Sequence, residues 1–483
     1  MRVFNTDHVV HYTESTGRKR ALMYHRKWLI DAFVMGVGDA VALLLAMLLA
    51  GAARLWLFGA SLIPSWIWVL LVGWWTVAFV ARLLPSWGMG VVEELRRTVI
   101  MLALLFGTAA VMLFLSKQST ETSRFTLTLG FLASVPLVPY IRMLVKRGLI
   151  ATGRWGVPAV IYGGARTAQM TINALREEPG IGYIPMGIFD DDPELWGDYV
   201  EDVPVLGSTE QSTTAAPVAI LAMPGIPRER LVELLEGPLS QYKQVLIIPD
   251  LFEIPTLWVK SRNLAGILGL EITRKLLDPL AQTMKRTMDL VVVVLLSPLW
   301  VPLYLCIALA IWLEDRHPPI FYQERIGRDG KAFNVHKFRT MVPDAEAVLS
   351  RHLTEDAGLR AEWEANFKLR NDPRITRVGA FLRKTSLDEI PQHINVLRGE
   401  MSLVGPRPLP LYHQEELPVQ VQRLRTKVRP GMTGLWQVSG RSDAGNEGLV
   451  RWDAFYVRNW SIWLDIVILV RTFRVVARGS GAY

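Results

Sequence analysis

"KRTMDLVVVVLLSPLWVPLYLCIALAIWLEDR", residues 285–316, holds the reading that decides the fold. Its apolar run over residues 290–313 is long enough to cross a bilayer as one helix, which takes about 20 residues. The flanks argue against a crossing. Lys285 and Arg286 precede the run, and Arg316, Arg325, Arg328, Lys331 and Lys337 follow it, so both ends carry the charge that favours the cytoplasmic face. Ser297-Pro298 also falls mid-segment, where proline removes a backbone hydrogen bond and bends a helix while serine can satisfy a freed carbonyl. A re-entrant helix over residues 286–314, broken at Ser297 and Pro298, meets both features. A plain kinked span is the competing reading.

Upstream, four apolar stretches at residues 28–50, 62–80, 99–115 and 125–144 are each near membrane-crossing length. Basic residues cluster before the first (Arg18, Lys19, Arg20, Arg26, Lys27), between the second and third (Arg82, Arg96, Arg97) and after the fourth (Lys146, Arg147, Arg154). Both ends of this four-helix unit are therefore expected in the cytoplasm. Asp31 and Asp39 in the first stretch are costly there, and are read as helix-facing carboxylates near an interface rather than as a transport path.

From about residue 157 the pattern changes. Short β-rich runs ("PAVIY", "YIPMGIFDDD", "VAILAM", "QVLIIPD") alternate with helical ones ("ARTAQMTINALREE", "RERLVELLEG"), as in a small α/β domain with a parallel sheet. Its turn "YGGARTA" resembles a phosphate cradle, but Gly163, Gly164 and Ala165 are followed by no third glycine at the dinucleotide spacing. A structural or regulatory domain is favoured over a nucleotide site. The expected architecture is membrane α plus α/β: four transmembrane helices over residues 1–150, a Rossmann-like α/β domain over 151–280, and a mostly helical catalytic domain with the re-entrant helix over 281–483. Near the C-terminus "NWSIWLDIVILVRTFRVVARG" suits a helix in the headgroup plane, with a core helix as the alternative.

Composition narrows the partners. The chain has 483 residues, 51% of them apolar, and a formal charge of +8; with that hydrophobicity, anionic lipid and phosphorylated substrates are expected and nucleic acid is not. The single cysteine, Cys306, excludes a disulfide framework and a cysteine metal site. His336, His352, His393 and His413 are scattered, without the spacing of zinc ligands.

The chemistry is concentrated in "RKTSLDEIPQHINVLRGEMSLVGPRP", residues 383–408. Ser386 and Glu389 have capping-box spacing, so Asp388 and Glu389 could simply be first-turn carboxylates favoured by the helix dipole. The cations around them point further. Arg383 and Lys384 lie upstream, Arg407 sits in a Gly-Pro turn downstream, and "HKFRTM" adds Lys337 and Arg339. So many cations near one acid pair call for an anionic ligand, and a diphosphate suits guanidinium forks and helix N-termini. Two adjacent carboxylates can then divide the labour, one bridging to Mg2+ and the other free to attack phosphorus. The expected chemistry is Mg2+-dependent phosphoryl transfer at a membrane surface.

Four strings in order, "PIFYQERIGRDGKAFNVHKFRTM", "NDPRITRVGAFLRKTSLDEIPQHINVLRGEMSLVGPRP", "VRPGMTGLWQVSGR" and "DAFYVRNWSIWLDIVIL", closely resemble the bacterial sugar transferases, the polyprenyl-phosphate hexose-1-phosphate transferases. The preceding helices and α/β domain resemble the large galactose phosphotransferase type that starts O-antigen or exopolysaccharide repeat units. That resemblance implies a reaction between a UDP-hexose, galactose by overall similarity and glucose as the alternative, and undecaprenyl phosphate. It implies Asp388 as the nucleophile on the β-phosphate, Glu389 as the Mg2+ ligand, Arg383 and Arg407 on phosphate or nucleotide, and Arg374 and Arg441 as further ligand contacts. Asp372, Gln437 and Asp453 fall in its motifs without a single role. It also implies the bacterial inner membrane with the catalytic domain on the cytoplasmic face; the oligomeric state is left open, a homodimer being one form. A membrane nucleotide-sugar dehydratase or epimerase is a remote alternative, lacking the fingerprint and any Tyr-x-x-x-Lys pair.

Overall fold

The computed structural model describes residues 14–59, 67–115, 124–249, 259–264, 267–272, 279–355, 359–360, 369, 372–439 and 445–478, and the chain divides into two compact units, residues 1–252 and 253–483.

In the first unit, four helices α1 (Glu14–Phe58), α2 (Ile67–Val80), α3 (Val91–Leu115) and α4 (Arg124–Ala151) form an apolar bundle. α1, α3 and α4 are long and apolar enough to cross a membrane; the described part of α2 is a shorter apolar helix. The helices outrun the apolar stretches of the sequence. At 1.5 Å per residue α1 is about 68 Å long, over twice the hydrocarbon thickness of roughly 30 Å. Its polar start therefore continues beyond the apolar part and docks on the α/β part, where fully buried Arg20 donates to Gln241 Oε1 at 3.1 Å and Ser212 Oγ at 3.2 Å. Asp31 lies at the same junction, accepting from Lys27 Nζ at 2.7 Å and from Gly156 N at 3.1 Å.

Asp39 departs from the interfacial reading. It sits inside the bundle, accepting from Arg142 at 2.6 Å and from Trp74 Nε1 at 2.9 Å, while Glu94 takes Lys146 at 2.6 Å and Arg142 Nε at 3.0 Å. A buried charge in this setting must be paired, and these four residues pair across three helices.

The α/β part follows from β1 (Val157–Tyr162), α5 (Arg166–Glu177), β2 (Tyr183–Phe189), β3 (Tyr199–Val200), β4 (Val203–Gly207), β5 (Val218–Leu221), α6 (Arg228–Glu236) and β6 (Gln244–Ile247). The strand order is β3-β4-β2-β1-β5-β6, parallel except for β3 with β4. Strands this apolar on both faces need cover on both. Ala168 and Ile172 of α5 pack on one face, and Leu234 of α6 belongs to the core of the other.

The second unit begins with the antiparallel hairpin β7 (Val259–Leu264) and β8 (Ile267–Ile272), then α7 (Pro279–Leu295) and α8 (Ser297–Asp315). The break between these two helices falls at Leu296, beside the Ser297-Pro298 pair. Both freed carbonyls there are met: Ser297 Oγ donates to Val294 O at 2.7 Å and Trp300 Nε1 to Val293 O at 2.9 Å. Each helix lays one face on the core. On α7 the buried face is Lys285, Asp289 and Val293; on α8 it is Trp300, Tyr304, Ile307 and Ile311, packed with Phe338, Leu382 and Ile390. The opposite faces stay bare and apolar, with Leu295 74% and Leu299 72% exposed at the break.

The antiparallel hairpin β9 (Ile320–Ile326) and β10 (Ala332–Phe338) follows, then α9 (Ala345–Glu355), α10 (Arg377–Thr385), α11 (Gln392–Arg398) and the short parallel pair β11 (Ser402–Val404) and β12 (Gly431–Thr433). The helix Ile462–Arg478 resolves its two readings by halves. Its first turns are core, with buried Asp465 bound to Lys285 Nζ at 2.6 Å and to Trp460 Nε1 at 3.0 Å, whereas Val470 and Phe473 are exposed further on.

Candidate active site

The acid pair sits in a turn that two helices leave behind. α10 starts on Thr376, whose Oγ1 accepts from Gly379 N at 2.9 Å, and crosses the chain at Thr340 so closely that a Cβ on Gly379 would lie 2.1 Å from Thr340 O. It ends at Ser386, which takes the left-handed conformation (φ +57°). A single 3-10 turn, Leu387–Glu389, then carries Asp388 and Glu389, and Pro391 stands immediately before α11, where a missing N–H costs nothing. The expected capping box is absent. Ser386 makes no side-chain capping bond, because it closes α10 rather than opening the next helix.

The cations converge unequally on the two acids. Lys337, on β10, donates to Glu389 Oε1 at 2.9 Å, and both side chains keep about a quarter of their surface (23% and 26%). Burial pushes Glu389 upward, but Lys337 and Arg407 together outweigh it and hold the carboxyl below the usual glutamate range. Asp388 goes the other way. Burial and the neighbouring Glu389 raise it above the aspartate range, with Lys337 and Arg383 pulling back only in part. Asp388 has no ion pair with any described residue. Environments that push two adjacent carboxylates apart are the usual mark of divided roles.

The remaining predicted residues separate into those at the site and those elsewhere. Arg383 is at the site: its Nε donates to Thr340 Oγ1 at 2.9 Å, and its charge acts on Asp388 and Asp372. Arg407 is half-buried beside Glu389, in a turn fixed by the close approach of Gly405 and Gly431, where a Cβ on Gly431 would lie 2.0 Å from Gly405 N. Arg374 is near Arg383 and forks onto Asp372, at 2.8 and 2.6 Å. Arg339 is not brought to the acid pair. Its guanidinium forks onto Asp315 at the end of α8 and also meets the carbonyls of Pro318, His317 and Met341. Asp453 is likewise taken up by a buried ion pair with Arg425, whose other amino group donates to Arg407 O at 2.6 Å. Arg441 lies outside the described residues.

Two residues that hold the site are missed by the sequence reading. Asn395, fully buried in α11, donates to Asn334 O at 2.7 Å and Glu400 Oε2 at 2.6 Å, and accepts from His336 N at 3.0 Å, so it ties α11 to the strand that carries Lys337. Trp300 stacks on His393 with ring centres 5.1 Å apart and planes 9° from parallel, joining the helix break to the first turn of α11. An asparagine within an apolar helical run was the one available hint for the first.

A family model described as "Bacterial sugar transferase" matches residues 280–479, and one described as "CoA-binding domain" matches residues 85–217. The UDP-galactose-lipid carrier transferase of Erwinia amylovora is 38% identical over 377 residues, covering 75% of this chain and 77% of that protein. This chain belongs to the bacterial sugar transferase family. A second member, the undecaprenyl-phosphate galactose phosphotransferase of Salmonella typhimurium, is 35% identical over 402 residues, 81% of this chain and 82% of that one. A third, the UDP-glucose:undecaprenyl-phosphate glucose-1-phosphate transferase of Escherichia coli, is 34% identical over 322 residues, 65% of this chain and 66% of that one. The bacterial sugar transferase match contains the whole acid-pair site.

The phosphate-like turn of the α/β part is occupied from within. Gly164 N donates to Asp190 Oδ2, and a Cβ on Gly163 (φ +101°) would lie 2.8 Å from Met223 Cγ. The chain's own carboxylate thus stands where a bound phosphate would accept that N–H bond.

Proposed function

We propose that this protein transfers hexose-1-phosphate from a UDP-hexose to undecaprenyl phosphate, giving undecaprenyl-diphosphate-hexose and UMP, as the first step of O-antigen or exopolysaccharide synthesis. The observation that carries the reading is the asymmetry of the acid pair: Glu389 held anionic by Lys337 and Arg407, and Asp388 without an ion pair among the described residues and more basic beside it. A carboxylate that is basic, yet not tied down by a cation, is the better nucleophile. Asp388 attacks the β-phosphorus of the donor. The bond from that phosphorus to the bridging oxygen breaks, UMP leaves with the electron pair, and an acyl phosphate bearing the sugar remains on Asp388. A phosphate oxygen of the lipid then attacks the same phosphorus and returns the carboxylate. Arg383 and Arg407 orient the diphosphate, and Lys337 balances charge at Glu389. Arg374 extends the cationic wall.

The donor set fits Mg2+. Glu389 is a carboxylate held anionic beside Asp388, and Mg2+ characteristically takes one or two carboxylates together with substrate phosphates and water. Glu389 would hold it, where it would neutralise charge on the diphosphate. Glu389→Gln is expected to abolish transfer or shift its Mg2+ requirement upward by about tenfold or more; a Mg2+ titration overlaying that of the parent protein would reject the ligand role.

Galactose is the proposed sugar, after the two relatives named for it. Glucose is the second reading, favoured by the Escherichia coli relative. UMP release from UDP-galactose and UDP-glucose, each with undecaprenyl phosphate and Mg2+, decides between them, and no UMP from either would refute the proposal. We place the protein in the inner membrane with α7 and α8 as a re-entrant pair, because each buries one face within the second unit, α7 through Lys285 and Asp289 and α8 through Ile307 and Ile311, while its other face is bare and apolar. The division into residues 1–150, 151–280 and 281–483, with a Rossmann-like middle domain serving as scaffold, belongs to the same reading. Asp190 on Gly164 N supports the scaffold role.

A further inference from the structure

The acid pair stands at one end of α11, and the other end faces a cleft that the proposed reaction does not use. From Glu389 to Gly399, at 1.5 Å per residue, the separation is roughly 15 Å. Lys285, Asp289, Arg328, Lys427, Arg429 and Tyr456 line this cleft. Arg286 adjoins it, donating to Val396 O at 2.5 Å and Leu397 O at 3.0 Å, while Arg429 Nε donates to Gly399 O at 2.8 Å. Those bonds account for Arg286 and Arg429 as cations at a helix C-terminus.

They do not account for Lys427, and Arg328 forms its one ion pair among the described residues with the exposed carboxylate of Asp329, at 3.6 Å. Arg328 is carried in the turn of the β9–β10 hairpin, which is fixed by Asp329 N donating to Thr426 O at 2.7 Å. Its Nε has no hydrogen-bond partner among the described residues. Lys427 is exposed and has no ion pair among the described residues. The acids nearby are already engaged: Asp289 accepts from Ser402 Oγ at 2.7 Å and Leu403 N at 3.3 Å, and Asp465 answers Lys285. Burial, then the nearby charges of Arg286 and Arg328, lower Arg429 below the usual arginine range. Like charges gathered around a cleft with one engaged carboxylate are stabilised by an anion that several of them share.

The position selects the anion. Arg286 is on α7, about one turn before the exposed apolar residues Val291, Val294 and Leu295. Cations at the root of a lipid-facing helix lie at headgroup level. We propose that this cleft binds the phosphate of an anionic phospholipid headgroup, at a site separate from Asp388 and independent of the reaction assigned to it.

The test uses the full chain in detergent, titrated with phosphatidylglycerol or phosphatidylcholine and read by native mass spectrometry, with and without millimolar inorganic phosphate. One phosphatidylglycerol is expected to be retained in preference to phosphatidylcholine, and inorganic phosphate is expected not to displace it. Lys427→Gln alone should weaken retention about fivefold, and adding Arg328→Gln should weaken it by a similar factor again, the scale of one juxtamembrane cation each. Lys427→Gln removes an exposed side chain and keeps the test valid if the double variant melts early. Equal retention of the two lipids, or unchanged retention in a double variant of normal melting temperature, would overturn the proposal. Displacement by inorganic phosphate would overturn the lipid assignment in favour of a soluble phosphate.

Discussion

Asp388→Asn is expected to lower hexose-phosphate transfer by at least ~10³-fold, the scale on which removal of a nucleophile acts, while the melting temperature stays close to that of the parent protein. The amide preserves shape, and no described ion pair is lost, since Asp388 has none. What disappears is the anionic oxygen that must bond to phosphorus. The same environment is expected to set the acid limit of the reaction. Attack needs the deprotonated carboxylate, and partial burial beside Glu389 raises Asp388 above its ordinary value. Turnover should therefore fall with decreasing pH sooner than for an exposed aspartate. Transfer by the Asp388→Asn protein at a rate within tenfold of the parent would remove Asp388 as nucleophile.

The second large effect is expected on stability. Arg425 and Asp453 form an ion pair whose side chains are 5% and 2% exposed, between the helices Val419–Arg425 and Gly445–Asn459. Asp453→Asn strands a buried guanidinium, which costs about 3–5 kcal/mol. For a unit of this size that is a fall in melting temperature of roughly 10 °C. Activity should suffer too, because Arg425 also holds the carbonyl of Arg407 and so the turn that brings Arg407 to Glu389. Replacing both partners together, Arg425→Met with Asp453→Leu, should recover most of the stability, since an apolar pair leaves no charge stranded. A melting temperature unchanged by Asp453→Asn would mean that the guanidinium charge is met by other groups.

The parts of this architecture that were legible in the sequence are those written locally. The apolar stretches, the Ser297-Pro298 break, the switch to alternating strands and helices, and the acid pair among cations all depend on neighbours in the chain. The helix ends were less legible. α1 runs back to Glu14 through residues too polar to read as membrane helix, because its start is stabilised by Gln241 and Ser212 some two hundred residues away.

Partners distant in sequence explain the site differences as well. Lys337 and Arg339 are two residues apart in one motif, yet Lys337 reaches Glu389 while Arg339 meets Asp315 at the foot of α8. Charge alone cannot rank them; the preceding helix decides. Ser386 and Glu389 have the spacing of a capping box, but α10 ends at Ser386 and leaves it in the left-handed region. Asn395 and Trp300 act through His336 and His393, contacts that no short window of sequence contains.

Asp388 is proposed to carry the phosphosugar between donor and lipid. Purified protein mixed with Mg2+ and UDP-galactose, with no lipid acceptor, measures it most directly. A burst approaching one UMP per active site is expected, with a matching mass increase on the Asp388 peptide and turnover only once undecaprenyl phosphate is added. UMP release that appears solely with the lipid present, and no adduct on Asp388 at any time, would contradict it and assign the attack on phosphorus to the lipid itself.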